Sequence, residues 1–147
     1  MHDAVKQGSL DMVKILLEHN AGTSILNNKG VTPLILAVKQ WETSSGSQNT
    51  YEEIIKMMKA GINAQDKSGT TLLHLLASSG HPKSIELVLK YGADVRISNK
   101  AGETPLDLAL NKLSHLEKNP SVNNDKKLER FKQTVKILET AQKIMSE

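Results

Sequence analysis

The chain has 147 residues, enough for one domain with a substantial core. One Trp, one Phe and two Tyr leave that core to Leu, Ile, Val, Ala and Met, which suits stacked short helices better than a sandwich or barrel. It has no cysteine, which excludes disulfides, thiolate metal sites and Cys nucleophiles, and its net charge of +3 is too balanced to indicate nucleic acid by itself.

No stretch approaches the roughly 18 apolar residues of a membrane span. Met1-His2-Asp3-Ala4 lacks the basic region and apolar run of a signal peptide. A soluble, cytoplasmic protein is expected. Of the 19 basic residues only Arg96 and Arg130 are arginines, whereas readers of phosphates and bases favour the forked guanidinium. Neither nucleic acid nor a membrane is therefore expected as a partner.

Internal similarity organises the rest. The chain opens inside a repeating unit, with no turn ahead of it, which leaves room for further repeats or another domain upstream. Residues 8–21 (GSLDMVKILLEHNA) are echoed by residues 80–95 (GHPKSIELVLKYGADV). Between and after them, residues 27–37 (NNKGVTPLILA), 66–77 (DKSGTTLLHLLA) and 99–109 (NKAGETPLDLA) share one pattern. Gly30, Gly69 and Gly102 suit a turn with φ > 0. Thr32, Thr71 and Thr104 stand where a hydroxyl caps a helix start. Pro33 and Pro105 follow at the first helical position, where a missing N–H costs nothing.

In chain order, the first full unit carries a polar insertion, residues 41–50, opening at Trp41. It is shortened near Met58-Lys59-Ala60. The next inner helix has Leu73, Leu76 and Ala77 at helical spacing, and its outer helix has Ile85, Val88 and Leu89 before a stop at Gly92. The last inner helix offers Leu106, Ala109 and Leu110. A second insertion covers residues 117–124. Finally Leu128, Phe131, Val135, Leu138, Ala141 and Met145 recur every three or four residues. They predict a long amphipathic helix that closes the stack with a polar outer surface.

A Gly-x-Thr-(Pro)-Leu pattern recurring three times, with 33 residues between Gly69 and Gly102, resembles the ankyrin repeat. The resemblance covers nearly the whole chain. It implies an all-α solenoid of helix-turn-helix units with β-hairpin fingers and a C-terminal capping helix. About four units make a single domain, 1–147: an incomplete 1–26, then 27–65, 66–98 and 99–147. The family's inner-helix His is present as His74 and His2, and Ile35 and Asp107 replace it elsewhere.

Catalytic groups are scattered. His2, His19, His74, His81 and His115 lack metal-ligand spacing, and phosphate loops and nucleophile elbows are absent. No enzyme activity, metal, cofactor or small-molecule substrate is expected. By repeat register His74 faces the neighbouring unit and His81 sits in a helix–helix turn. The resemblance implies a monomeric scaffold that binds another protein through finger tips and inner-helix ends. Those positions are Asn28, Lys29 and Val31, then Lys67, Ser68 and Thr70, then Lys100, Ala101 and Glu103. Inner-helix ends add Lys39, Gln40, Ser78, Ser79, Asn111 and Lys112. Trp41 either anchors the inserted loop or serves as a hot spot.

Lys29, Lys67 and Lys100 put one cation at each tip, which points to an acidic partner surface or to ordinary solvated lysines. Helix spacing predicts tips about 8–10 Å apart. Alternative settings are the targeting or substrate-recognition domain of a larger enzyme, or a secreted bacterial effector working in the host cytosol.

Overall fold

The structure is a computed structural model that describes residues 1–121 and 124–146. Val122 and Asn123 of the second expected insertion lie outside the described residues. Packing groups the chain into two compact units, Met1–Ile62 and Asn63–Glu147. Among the described residues every regular element is helical.

The first unit contains α1 (His2–Lys6), α2 (Leu10–Glu18), α3 (Pro33–Thr43), α4 (Gln48–Met57) and a 3-10 turn at Lys59–Gly61. Short-range chemistry sets the helix starts. Ser9 Oγ accepts from Met12 N–H at 3.4 Å, and Thr32 Oγ1 accepts from Ile35 N–H at 3.2 Å, with Pro33 just inside. The helices pair as α1 with α2 and α3 with α4, and α1 and α2 lie against α3 and α4 respectively. Val5, Val13, Ala37, Val38, Ile54 and Ile55 fill the core between them. Tyr51 is buried and its Oη donates to Lys6 O at 3.3 Å, tying α4 to the end of α1.

The inserted segment is mostly helix. Nothing from Lys39 to Thr43 breaks a helix, so α3 runs on through Trp41, and the loop shrinks to residues 44–47 before α4 begins. Trp41 therefore sits within the last turns of α3, half-buried, instead of opening a loop.

The second unit contains α5 (Leu72–Ser79), α6 (Pro82–Lys90), α7 (Pro105–Lys118) and α8 (Asp125–Met145). Thr71 caps α5 and Thr104 caps α7, as expected. Gly80 ends α5 in the left-handed conformation, φ +69°, and a Cβ there would meet the Phe131 ring at 2.9 Å. Inner helix α5 packs on α6 and α7, and α8 packs on both α7 and α6. Leu73, Ala77, Ile85, Val88, Ala109, Phe131 and Leu138 form the centre of this core.

The C-terminal helix buries Phe131, Thr134, Val135 and Leu138 and keeps its basic residues in solvent. Thr134 satisfies its buried hydroxyl on Arg130 O at 2.8 Å. Not every apolar position of the pattern is covered: Leu106 is half-buried and Leu110 is 39% exposed. Pro105, Ala109 and Leu116 take the inward face of α7 instead.

Candidate partner-binding surface

The three fingers are built alike, and not as β-hairpin arms. In the first, Asn27 N–H donates to Val31 O at 3.0 Å and Gly30 N–H to Asn27 O at 3.0 Å. The Asn27 side-chain oxygen accepts from Lys29 and Val31 N–H at 2.9 and 3.0 Å. Asp66 repeats this with Ser68 and Thr70 at 2.8 and 2.9 Å, and Asn99 with Ala101 and Glu103 at 3.0 Å each. A side chain thus satisfies amides that a strand ladder would otherwise engage, and no strand forms among the described residues. Gly30, Gly69 and Gly102 hold φ between +71° and +79°, as the turn requires. Sequence reading passed over Asn27, Asp66 and Asn99. The signal was present: an Asn or Asp three residues before each of these glycines.

In the second unit the two fingers are stitched together through their backbones. Lys100 N–H donates to Ser68 O at 2.9 Å, and Gln65 Nε2 donates to Gly69 O at 2.9 Å and to Ser98 O at 3.1 Å. Gly69 is buried in this stitch, because a Cβ would lie 2.9 Å from Lys100 N. Directly bonded backbones approach to about 5 Å, as paired strands do, well inside the 8–10 Å expected from helix spacing. Lys67 and Lys100 are both exposed on these joined tips.

Below the tips, His74 is fully buried and links its own helix to the next finger. Its Nδ1 accepts from Thr71 N–H at 3.1 Å and lies 2.8 Å from Thr71 Oγ1, while its Nε2 is 2.9 Å from Glu103 O. An acceptor at Nδ1 leaves the proton on Nε2, which donates to the carbonyl. His2 makes the equivalent link in the first unit, Nε2 to Val31 O at 2.7 Å. Asp107 keeps only the local half, accepting from Thr104 N–H at 2.9 Å. Asn63 adds another link: Nδ2 donates to Gly92 O at 3.0 Å and Oδ1 accepts from Asp94 N–H at 2.8 Å. Nearby, Arg96 donates to Asp94 through Nε at 3.0 Å and through its own N–H at 2.9 Å, which holds the Asp94 carboxyl below the usual carboxylate range.

The candidate residues divide by exposure. In the first unit Asn28, Lys29 and Lys39 are exposed, while Val31, Gln40 and Trp41 are half-buried. In the second, Lys67, Ser68, Ser79, Lys100, Ala101, Asn111 and Lys112 are exposed. Thr70, Ser78 and Glu103 are half-buried and engaged internally: Thr70 N–H with Asp66, Ser78 Oγ with Leu75 O at 3.1 Å, and Glu103 Oε1 with Asn99 Nδ2 at 3.3 Å. Ile25 and Leu26, 62% and 60% exposed beside the first finger, are the largest apolar side chains there. Among the described residues, no three His, Asp or Glu gather where they could hold a metal ion, and no helix is long and apolar enough to cross a membrane.

Helix pairs joined by side-chain-closed fingers at a 33-residue spacing define a helical repeat protein whose distinctive product is a displayed surface. The model of ankyrin repeats in three copies matches residues 43–118, and that of the single ankyrin repeat matches residues 1–28. The chain belongs to the ankyrin-repeat family. It is similar to a transient receptor potential cation channel subfamily A member 1 homolog of Caenorhabditis elegans, 32% identical over 75% of this chain and 9% of that protein. It also resembles alpha-latrotoxin-Lg1a of Latrodectus geometricus, 32% identical over 77% of this chain and 8% of the toxin. A third relative is ankyrin repeat and SOCS box protein 6 of Homo sapiens, 35% identical over 71% of this chain and 25% of its own length. The chain thus spans a quarter or less of these proteins. Ankyrin repeats are in general protein–protein interaction modules.

Proposed function

We propose that residues 1–147 act as one non-catalytic binding domain, engaging a protein partner through finger tips and inner-helix ends. The carrying observation is the paired fingers of the second unit. Their backbone amides are consumed internally, so the exposed Lys67, Ser68, Lys100 and Ala101 are presented on a pre-organised base. Ser79, Asn111 and Lys112 extend this face along the inner helices of the same unit. Two neighbouring tip cations favour an acidic patch on the partner. An exposed ion pair contributes only about 0–1 kcal/mol, so the lysines steer association and apolar contacts hold the complex. In the first unit Ile25, Leu26 and Trp41 are the candidate apolar contacts, beside Lys29. The domain itself acts as a monomer in cytoplasm.

Photo-crosslinking tests the reading. A benzophenone side chain placed at Ser68 or Ala101 should capture the partner, and one at Lys14, on the solvent face of α2, should not. Capture from Lys14 alone would place the surface elsewhere. Association of the isolated partner with K67E/K100E should slow and lose its salt dependence. An unchanged rate would remove the tip lysines from the interface.

A further inference from the structure

Charge in this chain is unevenly placed. Helix α8 carries six basic residues, Lys126, Lys127, Arg130, Lys132, Lys136 and Lys143, against Asp125, Glu129 and Glu139. Six minus three gives +3, which equals the net charge of all 147 residues, so the remainder sums to zero. All nine charged side chains are exposed. Among the described residues none of the six cations forms an ion pair. The apolar side of the helix is already occupied: Phe131, Val135 and Leu138 are buried in the second unit, where α8 packs on α6 and α7.

The solvent side has an ordered pattern. At 3.6 residues per turn, Lys132, Lys136 and Lys143 fall within an arc of about 40°, along a line about 16 Å long. Glu129 and Glu139 flank that same line, each about 20° from the nearest lysine. The pattern is therefore cationic with two carboxylates set into it. We propose that the solvent face of α8 is a second docking surface, fitted to an acidic helix of a protein partner. That helix places carboxylates against Lys132, Lys136 and Lys143 and cations against Glu129 and Glu139.

Two features separate this partner from other polyanions. A nucleic-acid backbone or anionic lipid surface is uniformly negative and would set phosphates against Glu129 and Glu139, whereas a protein can place Lys or Arg there. The helix also lacks what those ligands use. Its only aromatic, Phe131, is buried and cannot stack a base, and its apolar face is spent on the core instead of on lipid. The surface lies on the closing helix and not on the fingers, so this inference stands apart from the function proposed above.

The test uses the full chain and two 21-residue helical peptides of identical composition. One has charges matched to the α8 line; the other has the same residues scrambled. Each exposed ion pair changes affinity by up to about fivefold. The matched peptide should therefore bind at least about fivefold more tightly in about 0.1 M salt. That advantage should vanish in about 1 M salt, where the screening length falls to about 3 Å. K132E/K136E/K143E should weaken the matched peptide more than about tenfold with an unchanged thermal melt, and K67E/K100E should leave it unaffected. If the Glu triple destabilises the fold, K132Q/K136Q/K143Q gives the same reading with a smaller loss. Equal binding of matched and scrambled peptides would overturn the proposal. So would an affinity insensitive to both triple variants, or tighter binding of single-stranded RNA or phosphatidylserine vesicles through these lysines.

Discussion

His74→Leu isolates the polar part of the link between α5 and the finger at residues 99–103. Leucine keeps most of the ring's volume, so little cavity is created and the loss is mainly in hydrogen bonding. Three groups lose a partner: Thr71 N–H and Thr71 Oγ1, 3.1 and 2.8 Å from Nδ1, and Glu103 O, 2.9 Å from Nε2. His74 and Thr71 are 0% and 1% exposed, so solvent cannot replace the bonds at Nδ1, whereas Glu103 is half-buried. An unsatisfied buried group costs about 1–3 kcal/mol, which gives about 2–4 kcal/mol for the site after partial relaxation. That is a large share of the roughly 5–15 kcal/mol stability of an ordinary domain.

Asp107→Leu supplies the contrast at the equivalent position of α7. There the cap is exposed, Thr104 N–H can turn to water, and the cost should be about 1 kcal/mol. Urea unfolding followed by circular dichroism measures both, and unchanged m-values show that the transitions are comparable. If His74→Leu fell within about 0.5 kcal/mol of the parent while Asp107→Leu cost as much or more, the buried imidazole would not be the link described.

Other outcomes follow from single contacts. Gly69→Ala puts a methyl 2.9 Å from Lys100 N in a residue at φ +75°, so it should destabilise by about 1–3 kcal/mol and speed amide exchange at Lys100. Phe131→Ala should cost about 3–5 kcal/mol in the same urea assay, because the ring packs at 1% exposure against the α5–α6 turn. Ser45→Ala, in the short exposed loop before α4, should stay within about 0.5 kcal/mol.

Asp94 has a depressed folded-state pKa, so its pairing with Arg96 contributes stability above the ordinary carboxylate value, near about 4, and loses it as pH falls through the depressed value. The stability difference between parent and Asp94→Asn should be present at pH 7 and shrink on acidification; a difference that grew instead would reverse the assigned sign.

The parts legible in the sequence are those whose physics closes within a few residues. Thr32, Thr71 and Thr104 each accept from an amide three residues on, prolines need no donor at the first helical position, and glycines take φ near +75° without a Cβ penalty. Repetition of those local rules at a fixed spacing marks the helix pairs and the family. The same short range should have revealed Asn27, Asp66 and Asn99, whose bonds span two and four residues. It should also have shown that α3 carries on through Trp41, since no breaker precedes Ser44.

Other features depend on groups far apart in the chain, and only the tertiary structure decides them. The Nε2 bonds of His2 and His74 each reach 29 residues along the chain, and Gln65 reaches Ser98 across 33. The pattern alone gave Leu106 and Leu110 the same weight as Leu73. Leu73 is buried at 1% exposure while Leu110 stays 39% exposed, because burial depends on which neighbour arrives at each face. Helix diameters likewise did not foretell that the two fingers meet through Ser68 O and Lys100 N–H. A local rule fixes how each turn is made, but the approach of two turns is set by packing between helices that sequence periodicity does not place.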